Sequence, residues 1–178
     1  EWGTLSEYKV QNKKSSRLNG EKKKTHTLED ILLKEEVKRV SIGIKEVDRV
    51  LGGGVLSGSM ILLGGSPGIG KSTLALQTLS SFKENVLYAS AEESEGQIAL
   101  RAKRLNVLSS NIHLSSENRI DEILNQVFLL KPQLLIIDSI QTIFSENSDS
   151  LPGSVSQIRE CGQKLLQLAK EEKIAILV

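Results

Sequence analysis

A glycine-rich segment that ends in Lys-Ser-Thr has the residue spacing of a loop that wraps a phosphate group. Glycines let the backbone approach an anion closely, because they have no side chain and tolerate positive φ. Backbone N–H groups and the start of a following helix add positive potential, while the lysine reaches the β- and γ-phosphates and a hydroxyl ligates Mg²⁺. The pattern favours a nucleotide site over an ordinary glycine-rich turn. The segment consists of Gly65, Ser66, Pro67, Gly68, Ile69, Gly70, Lys71, Ser72 and Thr73.

Acidic residues follow two apolar runs downstream of this loop. Asp138 ends the run Leu-Leu-Ile-Ile, where a metal-holding acid of a triphosphatase belongs, with Ser72 as the second Mg²⁺ ligand. The alternative is that Asp138 only caps the end of the strand. Glu92 and Glu93 follow another run, and either can be the base that activates water. The simpler interpretation, acids that begin a helix, fits Glu93 better.

Gln141 lies three residues beyond Asp138. Its position suits a side chain that senses the γ-phosphate or relays to a neighbouring loop, and spacing alone does not decide whether it has such a role.

Alternating hydrophobic patterns predict the elements that must position these residues. Short apolar runs alternate with amphipathic segments, which predicts an α/β fold with a mainly parallel sheet flanked by helices. Thr27 is predicted to cap a short helix with Asp30, and residues 139–154 are predicted to be a mobile loop before a helix capped by Ser154. The predicted strands are 60–63, 85–90, 111–114, 134–138 and 174–178, and the predicted helices are 45–51, 73–82, 95–105, 120–130 and 155–172.

Composition limits the classes of protein that remain. The 178 residues suffice for one domain with a sizeable core, and a net charge of +1 implies no strong overall field. Aromatic residues make up only 3%, which argues against a base-stacking platform, and the single cysteine, Cys161, excludes an internal disulfide. Short, interrupted apolar runs predict no membrane span and a cytoplasmic protein.

The chain is predicted to have two parts. Residues 1–26 are basic and lack an apolar period, which predicts a flexible linker, and residues 27–178 form the predicted nucleotide-binding domain. The sequence does not begin with Met, so we expect a piece of a longer protein.

Five segments together resemble the RecA-like P-loop ATPase core and, within it, the bacterial RadA (Sms) family of DNA-repair ATPases. The resemblance runs from about Thr27 to Val178, and it implies a RecA-like core truncated at its C-terminal side. The segments are SIGIKEVDRVLGGG (41–54), the phosphate loop (65–73), YASAEES (88–94), IDSIQT (137–142) and GSVSQIRE (153–160).

The resemblance implies roles for particular residues. It favours Glu92 over Glu93 as the catalytic glutamate and raises Gln141 as a residue that couples hydrolysis to movement. The segment from Phe144 to Ser156 corresponds to a DNA-facing loop, followed by Arg159 as a phosphate contact. Arg101 and Arg104 match, loosely, positions that line the adenine pocket.

The resemblance also implies an activity for the whole protein. Family members form hexameric rings that hydrolyse ATP with Mg²⁺, move along single-stranded or branched DNA and promote branch migration beside a RecA-type recombinase. A Zn²⁺ motif is expected only in a missing N-terminal part, and each ATP site is expected to need a neighbouring subunit. The alternatives are a KaiC-like ATPase with protein clients and a nucleotide-gated recombination mediator.

Overall fold

A computed structural model describes residues 25, 27–30, 39–148 and 150–178. The chain divides into two units, residues 1–36 and 37–178. In the first unit, Thr27 and Asp30 form the predicted capping box: the Asp30 carboxylate accepts from the Thr27 N–H at 3.3 Å, and the Thr27 hydroxyl accepts from the Asp30 N–H at 3.1 Å. Residues 28–30 are helical, while the remainder of that predicted helix and most of the predicted linker lie outside the described residues.

In the described part of the second unit, five parallel strands form one sheet, with strands 60–61, 175–177, 134–137, 86–89 and 112–115 side by side in that order. A separate antiparallel ribbon pairs residues 39–40 with residues 55–56. The sequence predicted all five strands of the main sheet, mostly one or two residues too long. The strands are β1 Arg39–Val40, β2 Val55–Leu56, β3 Met60–Ile61, β4 Val86–Ala89, β5 Ile112–Ser115, β6 Leu134–Ile137 and β7 Ala175–Leu177.

Helices follow the strands as right-handed crossovers require. The first predicted helix after the phosphate loop is shorter than expected, because its last residues, Leu79–Ser81, form a 3₁₀ turn. Ser154 caps the long last helix as predicted, accepting the Gln157 N–H at 3.4 Å. The helices are α1 Lys45–Val50, α2 Lys71–Thr78, α3 Glu95–Arg104, α4 Ile120–Leu130 and α5 Val155–Glu172.

The central strands bury both of their faces. In β4, Tyr88 packs in a cluster with Leu76 of α2 and Ile98 of α3, while the next residue, Ala89, packs in a second cluster with Leu165 of α5. Alternation within a strand therefore supplies two separate cores. This explains why β4 and β6 are nearly continuous apolar runs, as parallel strands covered on both faces are.

The ribbon β1–β2 is fixed to the glycine-rich turn that leads into β2. Arg39 donates through Nη1 to the carbonyls of Leu51 and Gly54, at 2.7 and 3.1 Å. Gly54 has a φ of 130°, and a Cβ there would lie 2.3 Å from the Val40 carbonyl oxygen, so only glycine fits. The triple-glycine turn thus has a packing reason as well as a helix-ending one.

The segment between β6 and α5 is irregular, as predicted, and part of it is anchored to α5 by hydrogen bonds. Ile143 and Ser145 are buried, and the Gln157 side chain accepts from the Ser145 N–H at 2.9 Å and donates to the Ser150 carbonyl at 2.9 Å. The polar composition of the loop did not reveal these hydrogen bonds to the helix that follows it. In the described residues, no helix is long and apolar enough to cross a membrane.

Candidate nucleotide-binding site

The phosphate loop connects β3 to α2 and is held open by its glycines. Gly70 precedes the helix in a left-handed backbone conformation, with a φ of 102° that residues with a side chain rarely adopt. Residues 64–70 are exposed, and a Cβ built at Gly68 or Gly70 would meet no atom within 4 Å. The loop therefore has room for a ligand beside its backbone.

Lys71 is the first residue of α2, and its side chain folds back over the loop. Its Nζ donates to the carbonyls of Gly65 and Ser66, at 2.8 and 3.0 Å. At Gly65, a Cβ would lie 3.2 Å from the Ile69 side chain, so this glycine allows a close approach within the loop. The ammonium group is thus held at the loop, where a bound phosphate would meet it.

These residues fit a triphosphate with a divalent cation. The first N–H groups of α2 have no partner within the helix and carry its positive dipole end, which suits phosphate oxygens. The Ser72 hydroxyl and the Asp138 carboxylate are hard oxygen donors of the kind that Mg²⁺ prefers. No group of three or more His, Cys, Asp or Glu side chains in the described residues has the arrangement of a metal site, so Mg²⁺ would depend on phosphate and water for its other ligands.

Asp138 follows β6 directly and is half-buried. Its N–H donates to the Ala89 carbonyl at 2.9 Å, which continues the pairing of β6 with β4. Its Oδ2 accepts a hydrogen bond of 2.5 Å from the Tyr88 hydroxyl. Burial, followed by that hydrogen bond, raises the pKa of Tyr88 far above its usual value, so the phenol stays protonated as a donor.

Glu92 and Glu93 follow β4 but have different partners. Glu92 is exposed, and its Oε1 accepts from the Ser139 hydroxyl at 3.0 Å, next to Asp138. Glu93 is paired with Arg101 at 2.8 Å, and its N–H donates to the Ser90 hydroxyl at 3.4 Å. Glu92 therefore contacts the residue that follows Asp138, while Glu93 is paired with a residue of α3.

Two further predicted residues lie near these groups. Gln141 is exposed in the turn after Asp138, where its carbonyl oxygen would lie 3.3 Å from a Cβ at Gly153. The side chain of Arg101 is 17% exposed, and its Nε and Nη2 are buried with no hydrogen-bond partner in the described residues. Arg101 also lines a cavity of about 700 Å³ with Glu93, Gln97, Leu100, Lys103 and Arg104.

Sequence reasoning missed the Tyr88 and Ser139 contacts. Tyr88 sits inside an apolar run, so its polar end gave no signal, and its partner lies 50 positions away. Ser139 directly follows Asp138, and only the fold brings it to Glu92. A hydroxyl inside a buried strand was the one available signal, because a buried phenol usually finds a hydrogen-bond partner.

Comparison with known proteins agrees with this geometry. Residues 40–120 match the protein family described as "ATPase: KaiC". The chain is 46% identical to the DNA repair protein RadA of Chlamydia pneumoniae over 99% of its length, and 42% identical to that of Haemophilus influenzae, also over 99%. It is 44% identical over its full length to the DNA repair protein RadA of Listeria monocytogenes. It covers 40% of the length of each of these relatives.

A parallel sheet with the phosphate loop after one strand and an acid after another, separated by a single strand, defines a RecA-like P-loop ATPase. The first three segments of the resemblance, 41–54, 65–73 and 88–94, lie inside the matched residues. Within that class, nearly the whole chain is similar to DNA repair proteins named RadA, at 42–46% identity. The prediction of family and fold from sequence is therefore confirmed.

Proposed function

We propose that this chain is the nucleotide-hydrolysing part of a DNA-dependent motor that acts on single-stranded or branched DNA during recombination repair. The observation that carries the proposal is the meeting of Glu92 and Ser139 at 3.0 Å, which joins the ends of β4 and β6 beside Asp138. Ligands of open α/β sheets bind at the carboxyl ends of the strands, and the phosphate loop leaves the same edge. The DNA-directed part of the proposal comes from relatives that are named DNA repair proteins.

Each residue has a separate role in the proposed hydrolysis of ATP. Mg²⁺, when bound, would neutralise charge on the phosphates, held by Ser72 and Asp138. Lys71 would exchange its contacts with the loop carbonyls for the β- and γ-phosphates, and Glu92 would accept a proton from the attacking water. Gln141 would sense the γ-phosphate, and Arg101 would line the base-binding side of the site.

DNA would contact the loop after β6. Leu151 is 80% exposed and Val155 is 73% exposed, while Gln157 holds the preceding residues in place, so the tip between them is presented to solvent on a fixed base. Arg159 is exposed one turn into α5 and would bind a DNA phosphate. We further propose that the whole protein assembles as a hexameric ring, uses a separate Zn²⁺ motif and works beside a RecA-type recombinase.

ATP binding and turnover by this chain, with and without single-stranded DNA, test the proposal. Lys71→Ala should abolish nucleotide binding or turnover, because it removes the cation that reaches the transferring phosphoryl group. Arg159→Ala should leave DNA-free turnover unchanged and weaken the stimulation by DNA. Unchanged ATP affinity and turnover in Lys71→Ala would contradict the nucleotide site itself.

A second candidate function is a KaiC-like ATPase that acts on protein clients, favoured by the family match over residues 40–120. Turnover that is indifferent to DNA, with the Lys71 dependence intact, would support this candidate. ATP-dependent DNA binding without strand movement would instead support a recombination mediator.

A further inference from the structure

We propose that Tyr88 is a positioning residue for the metal site: its hydroxyl fixes the rotation of the Asp138 carboxylate so that Oδ1 is presented to Mg²⁺. This inference rests on the proposed metal role of Asp138. It assigns a function to a residue that is completely buried, with an exposed fraction of 0%, in the middle of the sheet.

The geometry of the two strands leaves little freedom in this contact. Tyr88 is paired with Ile136 in the register of β4 and β6, and Ala89 is paired with Ile137, so Asp138 is the next residue beyond the ladder. The Asp138 N–H is fixed on the Ala89 carbonyl at 2.9 Å, and the Tyr88 hydroxyl reaches Oδ2 at 2.5 Å. The carboxylate is therefore held at its backbone and at one oxygen.

The contact leaves the second oxygen for a ligand. Among the described residues, the hydrogen-bond donor to the Asp138 carboxylate is the Tyr88 hydroxyl, and the oxygen that accepts is Oδ2. A carboxylate has two acceptor oxygens, and a hydrogen bond to one of them orients the other, as outer-shell partners do for metal-binding carboxylates. Ser139 does not compete, because its hydroxyl donates to Glu92.

Tyr88 is placed too deeply to act on the nucleotide directly. Its ring packs in the apolar cluster with Leu76, Leu79 and Ile98, and its hydroxyl is the only polar group that it brings to the site. It therefore acts through Asp138. A purely structural hydrogen bond would stabilise the fold without changing how the protein responds to Mg²⁺, and this difference gives the test.

The test is the Mg²⁺ dependence of binding of a fluorescent ATP analogue to the chain. Tyr88→Phe should raise the Mg²⁺ concentration at half-maximal enhancement about ten- to hundredfold, the loss typical of removing an outer-shell partner. Binding without Mg²⁺, in the presence of EDTA, should stay at the wild-type level. Phe82→Leu, which alters another buried aromatic residue of the same cluster (4% exposed), is the packing control and should leave the Mg²⁺ midpoint unchanged.

Asp138→Asn separates this inference from the proposed function. If Asp138→Asn leaves the Mg²⁺ midpoint unchanged, the metal role of Asp138 is wrong and the proposed site fails. If Asp138→Asn shifts the midpoint and folded Tyr88→Phe does not, only the positioning role of Tyr88 is wrong. Tyr88→Phe added to Asp138→Asn should give no further shift, since both changes act on one contact.

A second modified form of the chain provides a test if Tyr88→Phe does not fold. Replacing both tyrosines of the chain by 3-fluorotyrosine keeps the hydroxyl donor and adds only a small substituent. The Mg²⁺ midpoint of this protein should stay within about twofold of the wild-type value, well below the tenfold expected for loss of an outer-shell partner. A tenfold rise with the hydroxyl retained would assign the effect to packing and overturn the inference.

Discussion

Two adjacent glutamates at the end of β4 illustrate how neighbouring residues of one type acquire different chemistry. Glu92 is exposed and contacts Ser139, while Glu93 is held by Arg101, whose side chain is 17% exposed. The Glu93 carboxylate is already held in an ion pair, so it would have to leave Arg101 to contact an attacking water. Glu92, whose exposed carboxylate accepts the hydrogen bond from Ser139, is thus the better candidate for the base.

Glu92→Gln should therefore lower ATP turnover by about 10²- to 10⁴-fold, the usual contribution of a general base, while nucleotide binding is retained. Glu93→Gln is the matched control. It should leave turnover within a few-fold of the wild-type rate and lower thermal stability, since it strands Arg101. Steady-state turnover and analogue binding measure both effects, and the reverse pattern would make Glu93 the base.

The sequence singles out candidate site residues where their chemistry requires a particular local spacing. Lys71 and Ser72 follow from the glycine pattern, and Asp138 from its place after an apolar run. Tyr88 and Arg101 did not reveal their partners, because Tyr88–Asp138 and Arg101–Glu93 form only when strands and helices assemble. Sequence shows which groups are present, but their pairing is a property of the fold.

At the scale of elements, one buried glutamine organises the loop after β6. The Gln157 side chain is 1% exposed, and its Nε2 faces the carbonyls of Ser145, Ser148 and Ser150 at 3.1, 3.3 and 2.9 Å. Lys164 adds a contact to the Ser145 hydroxyl at 3.0 Å. The first turns of α5 therefore hold a segment that contains little secondary structure of its own.

Gln157→Leu keeps the side-chain size and removes these hydrogen bonds, so it should cost about 1–3 kcal/mol by leaving buried backbone groups unpaired. Amide hydrogen exchange should accelerate in residues 145–150 more than in the strands. Gln163→Leu changes an exposed glutamine of the same helix, so it should alter neither the stability nor the amide exchange of residues 145–150. Unchanged exchange in the loop of Gln157→Leu would mean that the loop is held by its own turns.

The turn before α4 should give a pH-dependent stability. Hydrogen bonds from the Arg119 side chain, at 2.9 and 3.1 Å, and from the Arg119 N–H lower the pKa of Glu117 to about 2, from an ordinary value of 4.5. A lowered folded-state pKa stabilises the protein above the unfolded-state pKa, and this contribution is lost as the pH falls from about 4.5 to 2. The hydrogen bonds of this turn therefore favour the ionised form of Glu117.

Glu117→Gln should therefore lower the melting temperature most at neutral pH, with the difference from wild type shrinking as the pH falls through that window. Arg119→Met should flatten the same profile, because the Arg119 side chain is the main cause of the lowered pKa. Thermal unfolding between pH 7 and pH 2 measures both variants. A difference that stays constant over this range would show that the carboxylate is not ionised preferentially in the folded protein.

At the scale of the molecule, the sheet is covered by helices on two faces that do not share a core. Leu76 of α2 and Leu165 of α5 are both 0% exposed, and they belong to opposite clusters. Each should contribute independently to the stability of the unit formed by residues 37–178, because truncations with no shared partners usually add.

Leu76→Ala and Leu165→Ala should each lower the free energy of unfolding by about 2–5 kcal/mol, the usual cost of a cavity in a packed core. Leu129→Ala is the control, since that side chain is 87% exposed in α4 and should have almost no effect. Urea unfolding gives all three values. If the double variant loses much less than the sum of the single losses, the two faces are coupled.

The architecture was largely predictable, because a strand buried on both faces has an unmistakable apolar run and α4 and α5 have clear helical periodicity. The bounds Ile120–Leu130 and Val155–Glu172 were predicted correctly. The ribbon formed by Arg39–Val40 and Val55–Leu56 was not predicted, since neither strand lies in an apolar run of more than two residues and the pairing depends on the Arg39 contacts. The order of the strands in the sheet could not be predicted either, because hydrophobic periodicity does not show which strands are neighbours.

That strand order has a consequence for biosynthesis. In the described sheet, β3 has one neighbour, β7, with Met60 beside Ile176 and Ile61 beside Leu177. Translation delivers the N-terminal segments first, so the strand that carries the phosphate loop leaves the ribosome long before its partner does. Pairing between such distant segments is slow to form. The nascent chain should therefore acquire β4, β5 and β6 as a paired unit first and gain the ability to retain a nucleotide only after β7 has emerged.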